Sequence, residues 1–149
     1  MTAPRRSPWI ALAVLFATGC TITRSVEPVP RALDATLCLE ENDAVWSKEF
    51  LPALRDEFQR HGIRTTVYRG PRPAECRYHA TYAAKWRWDM ATYLRSADIQ
   101  VFDYARPIGR VVYDAGGGTA SLRKFGPTMS KLRPLIDELL RATPPASGT

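Results

Sequence analysis

Apolar and polar residues alternate most strongly between Tyr78 and Trp88. The apolar positions are Tyr78, Ala80, Tyr82, Ala84, Trp86 and Trp88, and the positions between them are His79, Thr81, Ala83, Lys85 and Arg87. A period of two predicts a long strand with one aromatic face and one largely polar face. The helices of the domain would pack on the apolar face of the sheet, so we predict that the four aromatic side chains of this strand lie in the core. These are Tyr78, Tyr82, Trp86 and Trp88.

Shorter apolar segments on both sides of this strand predict the rest of a sheet. Residues 97–101 and 111–113 alternate in the same way, across a turn near 105–107. Residues 36–39 and 63–69 are two further strand candidates. We therefore predict an antiparallel sheet of about four to five strands with one face in water.

Two segments have the periodicity of amphipathic helices. The first follows Asp43, the predicted N-cap, and ends at His61-Gly62. The second opens at Gly126-Pro127, because proline suits the first position of a helix. The apolar positions are Trp46, Phe50, Ala53, Leu54 and Phe58 in the first helix, and Met129, Leu132, Leu135, Ile136, Leu139 and Leu140 in the second. The order β-α-β-β-β-β-α predicts an α+β fold with both helices on one face of the sheet.

The amino-terminal segment has the pattern of an export signal. Arg5 and Arg6 precede a short apolar stretch, and small residues lead directly to Cys20. This arrangement resembles the lipobox of bacterial lipoproteins, in which the chain is cut before a cysteine that carries fatty acyl chains such as palmitate. The resemblance implies a signal peptide over residues 1–19 and lipidation of Cys20. The alternative is an ordinary secreted protein that is cut near Gly19, with Cys20 incidental.

Composition divides the remainder into three parts. Residues 20–35 contain the lipidated cysteine and a proline-containing stretch without apolar period, which predicts a flexible tether. Residues 36–141 are the size of one α+β domain. Residues 142–149 have the composition of a disordered tail.

Charge and cysteine content narrow the possible functions. The chain has 21 basic and 15 acidic residues, and this excess is too mild to predict nucleic-acid binding. Besides Cys20 it contains Cys38 and Cys76, and an even pair in an exported chain predicts a disulfide. A free buried pair is the alternative. With no C-x-x-C spacing and two histidines, the sequence predicts neither a metal site nor a cofactor.

No group of residues in the sequence predicts catalysis. His61 is most simply a helix C-cap, and His79 lies on the polar face of a strand. Glu40, Glu41 and Asp43 suit a helix N-terminus better than a pair of catalytic carboxylates. We therefore expect no enzyme activity and no catalytic residue.

Two surface features could bind a partner. Lys85, Arg87 and His79 make one strand face mildly basic, which would suit lipopolysaccharide phosphates or an acidic protein, although a merely solvated face is the simpler interpretation. Tyr82, Trp86 and Trp88 could form an aromatic groove for a glycan or lipid if they were accessible.

Several motifs together resemble a family of short proteobacterial lipoproteins of unassigned biochemistry. They are Cys38-Leu-Glu-Glu-Asn42, Thr81-Tyr-Ala-Ala-Lys-Trp-Arg-Trp-Asp-Met90, Lys124-Phe125 and Leu135-Ile-Asp-Glu-Leu139. Members of that family carry cysteines at both corresponding places, which supports pairing Cys38 with Cys76. More loosely, the element order is similar to that of periplasmic lipoproteins such as LptE and LpoB.

These observations predict an outer-membrane lipoprotein that faces the periplasm. Aspartate, the usual retention residue after the lipidated cysteine, is absent, since Thr21 stands there. We expect a membrane anchor through Cys20 and an envelope protein as partner, in a non-enzymatic interaction or structural role. The alternative is a binder of envelope glycan or lipopolysaccharide.

Overall fold

The computed structural model describes residues 22–116 and 122–142 and confirms the α+β class. The strands are β1 (Thr23–Glu27), β2 (Leu37–Glu40), β3 (Thr65–Tyr68), β4 (Tyr78–Asp89), β5 (Ala91–Asp103) and β6 (Arg106–Asp114). The helices are α1 (Phe50–Arg60) and α2 (Thr128–Leu139), and a short 3-10 turn covers Leu122–Lys124. The predicted signal peptide, Cys20 and nearly all of the predicted tail lie outside the described residues.

The six strands form one mixed sheet in the order β1-β6-β5-β4-β2-β3. The predicted antiparallel arrangement holds for β4, β5 and β6. It is wrong for β2, which pairs in parallel with both β3 and β4. The physical reason is the connection: α1 crosses over between β2 and β3, and a helical crossover returns the chain in the same direction.

The predicted flexible tether over residues 20–35 contains β1. Thr23–Glu27 pairs antiparallel with β6, with Val26 opposite Val111. This pairing satisfies the backbone groups of β6 that would otherwise form an exposed edge. Beyond β1, Val29 is buried and its amide donates to the carbonyl of Leu139 at 2.8 Å. β1 therefore begins three residues after Cys20.

Helix α1 begins at Phe50, later than the predicted start at Asp43. The chain before it is a loop in which the Asn42 side chain accepts a hydrogen bond from the amide of Ala44 at 3.0 Å. Such a local bond competes with helix formation. Pro52 consequently falls in the first turn of α1, where its missing amide hydrogen is not needed.

Both helices cover the same face of the sheet, and their apolar stripes meet a core centred on β4 and β5. Phe50 of α1 packs on Tyr82 with ring centroids 5.4 Å apart. At the end of α2, a Cβ atom on Gly109 would lie 2.8 Å from Val29 and 2.9 Å from Leu139. Glycine at this position of β6 therefore permits the close approach of α2 to the sheet.

A disulfide joins Cys38 and Cys76 on the other face of the sheet, as predicted. Their Cα atoms are 5.9 Å apart, and both residues are buried next to Tyr68. The bond ties β2 to the loop that precedes β4. It therefore closes a covalent loop around α1 and β3.

Ion pairs connect the two helices at their carboxyl-terminal ends. Glu57 of α1 accepts hydrogen bonds from Arg133 of α2 at 2.6 and 2.9 Å and from Arg60 at 3.0 Å. Asp137 of α2 pairs with Arg60 and with the buried His61, whose Nε2 lies 2.8 Å away. Burial by itself raises the pKa of Glu57, but the hydrogen bonds from Arg133 and Arg60 outweigh it and hold that pKa below its ordinary value.

Removal of the disulfide is expected to destabilise the fold. In a variant with both Cys38→Ala and Cys76→Ala, the free energy of unfolding should fall by about 2–4 kcal/mol, because the unfolded chain regains the entropy of the closed loop. Urea unfolding of the variant and of the oxidised protein measures the difference. Equal midpoints, or two free thiols in protein purified from the periplasm, would contradict the bond.

The helix-to-helix ion pairs are expected to make stability fall in acid. Because the folded state lowers the pKa of Glu57, its contribution is complete above the unfolded value of about 4.3 and is lost as pH falls through the lower folded value. Urea unfolding between about pH 7 and pH 3 should show a shallower decline for Glu57→Gln than for the unaltered protein. Glu138→Gln, at an exposed position of α2, is the control and should keep the original slope. A Glu57→Gln curve parallel to the original would show that this group is not responsible.

Candidate interaction surface

The hairpin of β4 and β5 continues past the part of the sheet that the helices cover. Its register shifts at a bulge: Lys85 pairs with Ser96, but the next residue, Trp86, pairs with Leu94. A bulge bends the strand that carries the extra residue and increases the local twist. Beyond it, the chain reverses at Met90, whose φ of 61° closes the turn.

The four aromatic residues predicted for the core fall into three environments. Tyr78 and Tyr82 are buried. Trp86 is partly buried, and its ring lies edge-on to Phe50 at 5.6 Å and to Trp46 at 6.2 Å. Trp88 is 76% exposed, so the prediction that it belongs to the core is wrong. Alternation gave the correct side of the strand, but the hairpin extends further than the helices that cover that side.

Large exposed apolar side chains concentrate at this end of the sheet. Within the described ranges the exposed ones are Trp46, Trp88, Met90, Leu122 and Tyr104. Only Tyr104 lies at the opposite end, in the turn between β5 and β6. We call the other four the hairpin-end surface. A cluster of this kind is more informative than the same residues scattered singly.

The 3-10 turn that carries Leu122 is attached to the hairpin by two contacts. Lys124 forms an ion pair with Asp89. The Phe125 ring lies edge-on to Tyr93 of β5, with centroids 5.9 Å apart. Leu122 is therefore held on the same rigid unit as Trp88 and Met90.

Basic side chains surround the hairpin-end surface. Lys85 and Arg87 are exposed on β4, and Arg123 is exposed on the 3-10 turn. None of these three forms an ion pair with any residue of 22–116 or 122–142. The nearby carboxylate of Asp89 is already neutralised by Lys124. The hairpin end is therefore apolar and positively charged.

His79 does not join Lys85 and Arg87, although the sequence placed all three on one face. It lies six residues before Lys85 on β4, roughly 20 Å along the strand. Its ring stacks on Phe102 at 4.6 Å, and Nδ1 lies 3.1 Å from the Arg72 guanidinium. Burial, and then the charge of Arg72, lower the pKa of His79, which favours the neutral imidazole.

The acidic residues near β2 serve structural contacts. Glu41 and Asp43 both pair with Arg69, at 2.8 and 3.3 Å. They line a shallow cavity of about 250 Å³ together with Asn42, whose side chain donates to the Tyr82 carbonyl at 2.8 Å. Asp89 is at the hairpin end and does not face them. These carboxylates thus lack the opposed, unpaired geometry that acid–base catalysis uses.

Two further properties concern the described part of the chain as a whole. No three of its His, Cys, Asp and Glu side chains are arranged so that they could hold a metal ion. None of its helices is long and apolar enough to cross a membrane.

Comparison with known proteins finds similarity at the level of the fold. No protein-family model matches the chain, and no curated protein matches it. Two crystal structures of PelC dodecamers from Paraburkholderia phytofirmans, one of them a variant, match 85% of this chain and 100% of theirs. Their TM-scores are 0.56 and 0.53, at 13% sequence identity. This chain therefore shares its fold with PelC.

Proposed function

We propose that this protein is an outer-membrane lipoprotein, anchored through Cys20 and facing the periplasm, that acts as a non-enzymatic component of an envelope assembly. The observation that best supports a role in the envelope is the hairpin-end surface, which exposes four large apolar side chains on a rigid unit. The Cys38–Cys76 disulfide is consistent with an oxidising compartment such as the periplasm. The lipobox-like segment before Cys20 supports lipidation of that cysteine, and its acyl chains would be the anchor.

The fold likeness adds one kind of partner to this proposal. PelC was crystallised as a dodecamer. In this chain both outer strands of the sheet, β1 and β3, are edges on which another chain could pair. Further copies of the same chain are therefore included among the envelope partners that we propose.

Binding of envelope glycan or lipid is a second candidate, and one observation favours its lipid version. An aromatic groove for a glycan would need Tyr82, Trp86 and Trp88 to line one opening. Tyr82 is buried, and its hydroxyl accepts a hydrogen bond from the amide of Asn42 at 3.2 Å. Trp88 and the unpaired basic residues beside it suit a lipid surface instead.

Fractionation of cells tests the anchor. The Cys20→Ser protein should leave the membrane fraction and appear in the soluble periplasmic fraction, because the acyl chains supply the stable attachment. Immunodetection after osmotic shock measures the distribution, with the unaltered protein as reference. If the serine variant stays in the membrane fraction, the anchor is not at Cys20.

Crosslinking in the native envelope tests the interaction role. Tyr104 is 57% exposed in the β5–β6 turn, at the end of the sheet opposite the hairpin. A photoreactive amino acid at this position should form adducts with an envelope protein or with another copy of the chain, identified by mass spectrometry. The matched position is the exposed Arg64 at the same end of the sheet. Absence of protein adducts from both positions would count against an assembly component.

A further inference from the structure

The register of the sheet places the start of β1 at the hairpin end. Thr23 of β1 lies opposite Asp114 of β6, and Asp114 lies opposite Ser96 of β5. Ser96 in turn lies opposite Lys85 of β4. Thr23 and Lys85 are therefore in one row across the sheet. From this row β4 continues outward to the hairpin turn, whereas β1 runs in the opposite direction.

Two lengths of chain that lead toward the hairpin end, one along β4 and one before β1, are similar. From Lys85 to Asp89, at the end of β4, the strand advances four residues, or about 13 Å. From Thr23 back to Cys20 the chain has three residues, which span at most about 11 Å when extended. If residues 20–22 continue the direction of β1, an anchor at Cys20 comes nearly to the level of the hairpin turn. A bilayer that holds Cys20 would then lie close to Trp88 and Met90.

The side chains at this end have the chemistry of a membrane interface. Tryptophan is enriched at the level of the lipid headgroups, because its ring is apolar and its indole N–H is polar. Exposed basic residues near a bilayer are attracted to anionic headgroups. Lys85, Arg87 and Arg123 supply this charge beside the apolar surface.

The opposite end of the sheet exposes a single large apolar side chain among the described residues, Tyr104. There Asp103 binds Arg77 and Arg31, each at 3.0 Å. Asp34 lies 3.5 Å from Arg77 and completes an ionic cluster. Arg64, Arg72 and Arg106 at that end form no ion pair with a described residue, so basic charge is present at both ends of the sheet, and the exposed apolar side chains distinguish the hairpin end.

We infer that the hairpin-end surface docks into the headgroup region of the bilayer in which Cys20 is anchored, with Trp88 and Met90 inserted and Lys85, Arg87 and Arg123 against anionic headgroups. This inference rests on the proposed lipidation of Cys20. The docked protein has its strands directed away from the membrane. The β5–β6 turn then lies furthest into the periplasm, and both edge strands are free for lateral contacts.

A fluorescent probe at Met90 tests the docking. Cys20 carries lipid in the proposed mature protein and the other two cysteines are bonded, so a Met90→Cys variant offers one thiol for an environment-sensitive dye. Tyr104→Cys is the matched control, since both side chains are exposed and lie in turns at opposite ends of the sheet. The lipidated proteins are reconstituted in vesicles of phosphatidylethanolamine and phosphatidylglycerol, with and without brominated acyl chains.

Docking predicts a blue-shifted dye at position 90 that brominated lipid quenches, and an unquenched dye at position 104. If the protein is retained on the vesicles but the two dyes behave alike, the docking inference is overturned. A dye at position 90 that becomes shielded only when envelope protein is added would also overturn it, in favour of a protein partner. Failure of the chain to become acylated and retained would instead contradict the proposed anchor.

Charge variants test, in the same assay, whether the basic residues attract the hairpin end to anionic lipid. Lys85→Gln and Arg87→Gln should each lower the ratio of docked to undocked protein about five-fold in vesicles that contain phosphatidylglycerol. Vesicles of phosphatidylcholine alone should make these variants equal to the Met90→Cys parent. Arg64→Gln, at an exposed position remote from the hairpin, should leave the ratio unchanged. Equal losses for all three variants would show that headgroup attraction at the hairpin is not involved.

Discussion

The antiparallel pairing of β4 with β5 is the interaction on which the rest of the structure depends. Its inner part carries Tyr78, Ala80 and Tyr82 opposite buried residues of β5, and both helices pack on this part. Its outer part continues beyond the bulge at Lys85 as a free hairpin. One ladder therefore supplies both the centre of the core and the exposed end that we assign to membrane contact.

Two kinds of link hold the remaining elements to this ladder. The Cys38–Cys76 disulfide fastens β2 to the start of β4 on one face. On the other face, Arg133 and Glu57 connect α2 to α1. The covalent link joins the chain before α1 to the chain after β3, and the ionic link joins α1 to α2. β1 is held separately, by its antiparallel pairing with β6.

The proposed function follows from the position of residues and not from any reactive group. The carboxylates of Glu41 and Asp43 near β2 are bound to Arg69, and Lys85, Arg87 and Arg123 at the hairpin end form no ion pair with a described residue. We therefore propose a role in binding other components of the envelope. The end that carries Tyr104 and the two sheet edges are available for proteins, while the hairpin end is available for lipid.

Local pattern alone was sufficient for the fold class, the aromatic strand and the two helices. It also predicted the disulfide between Cys38 and Cys76, because the number of cysteines and the export-like pattern before them can be read from the chain itself. The hairpin-end surface itself was not predicted from the sequence, although the basic residues beside it, Lys85 and Arg87, were. The exposure of Trp88 and Met90 was missed because alternation shows which side of a strand a residue faces, but not how far the helices cover that side.

What the tertiary structure decided depends on contacts between distant segments. β1 has a single apolar residue facing the core, so its five residues resemble a tether until β6 offers an edge to pair with. The parallel pairing of β2 depends on the path of α1, and the separation of His79 from Lys85 depends on the length of an extended strand. The sequence thus determined which face each residue takes, whereas only the packing of whole elements decided which faces are covered and at which end of the sheet β1 begins, because coverage is a property of neighbours and not of periodicity.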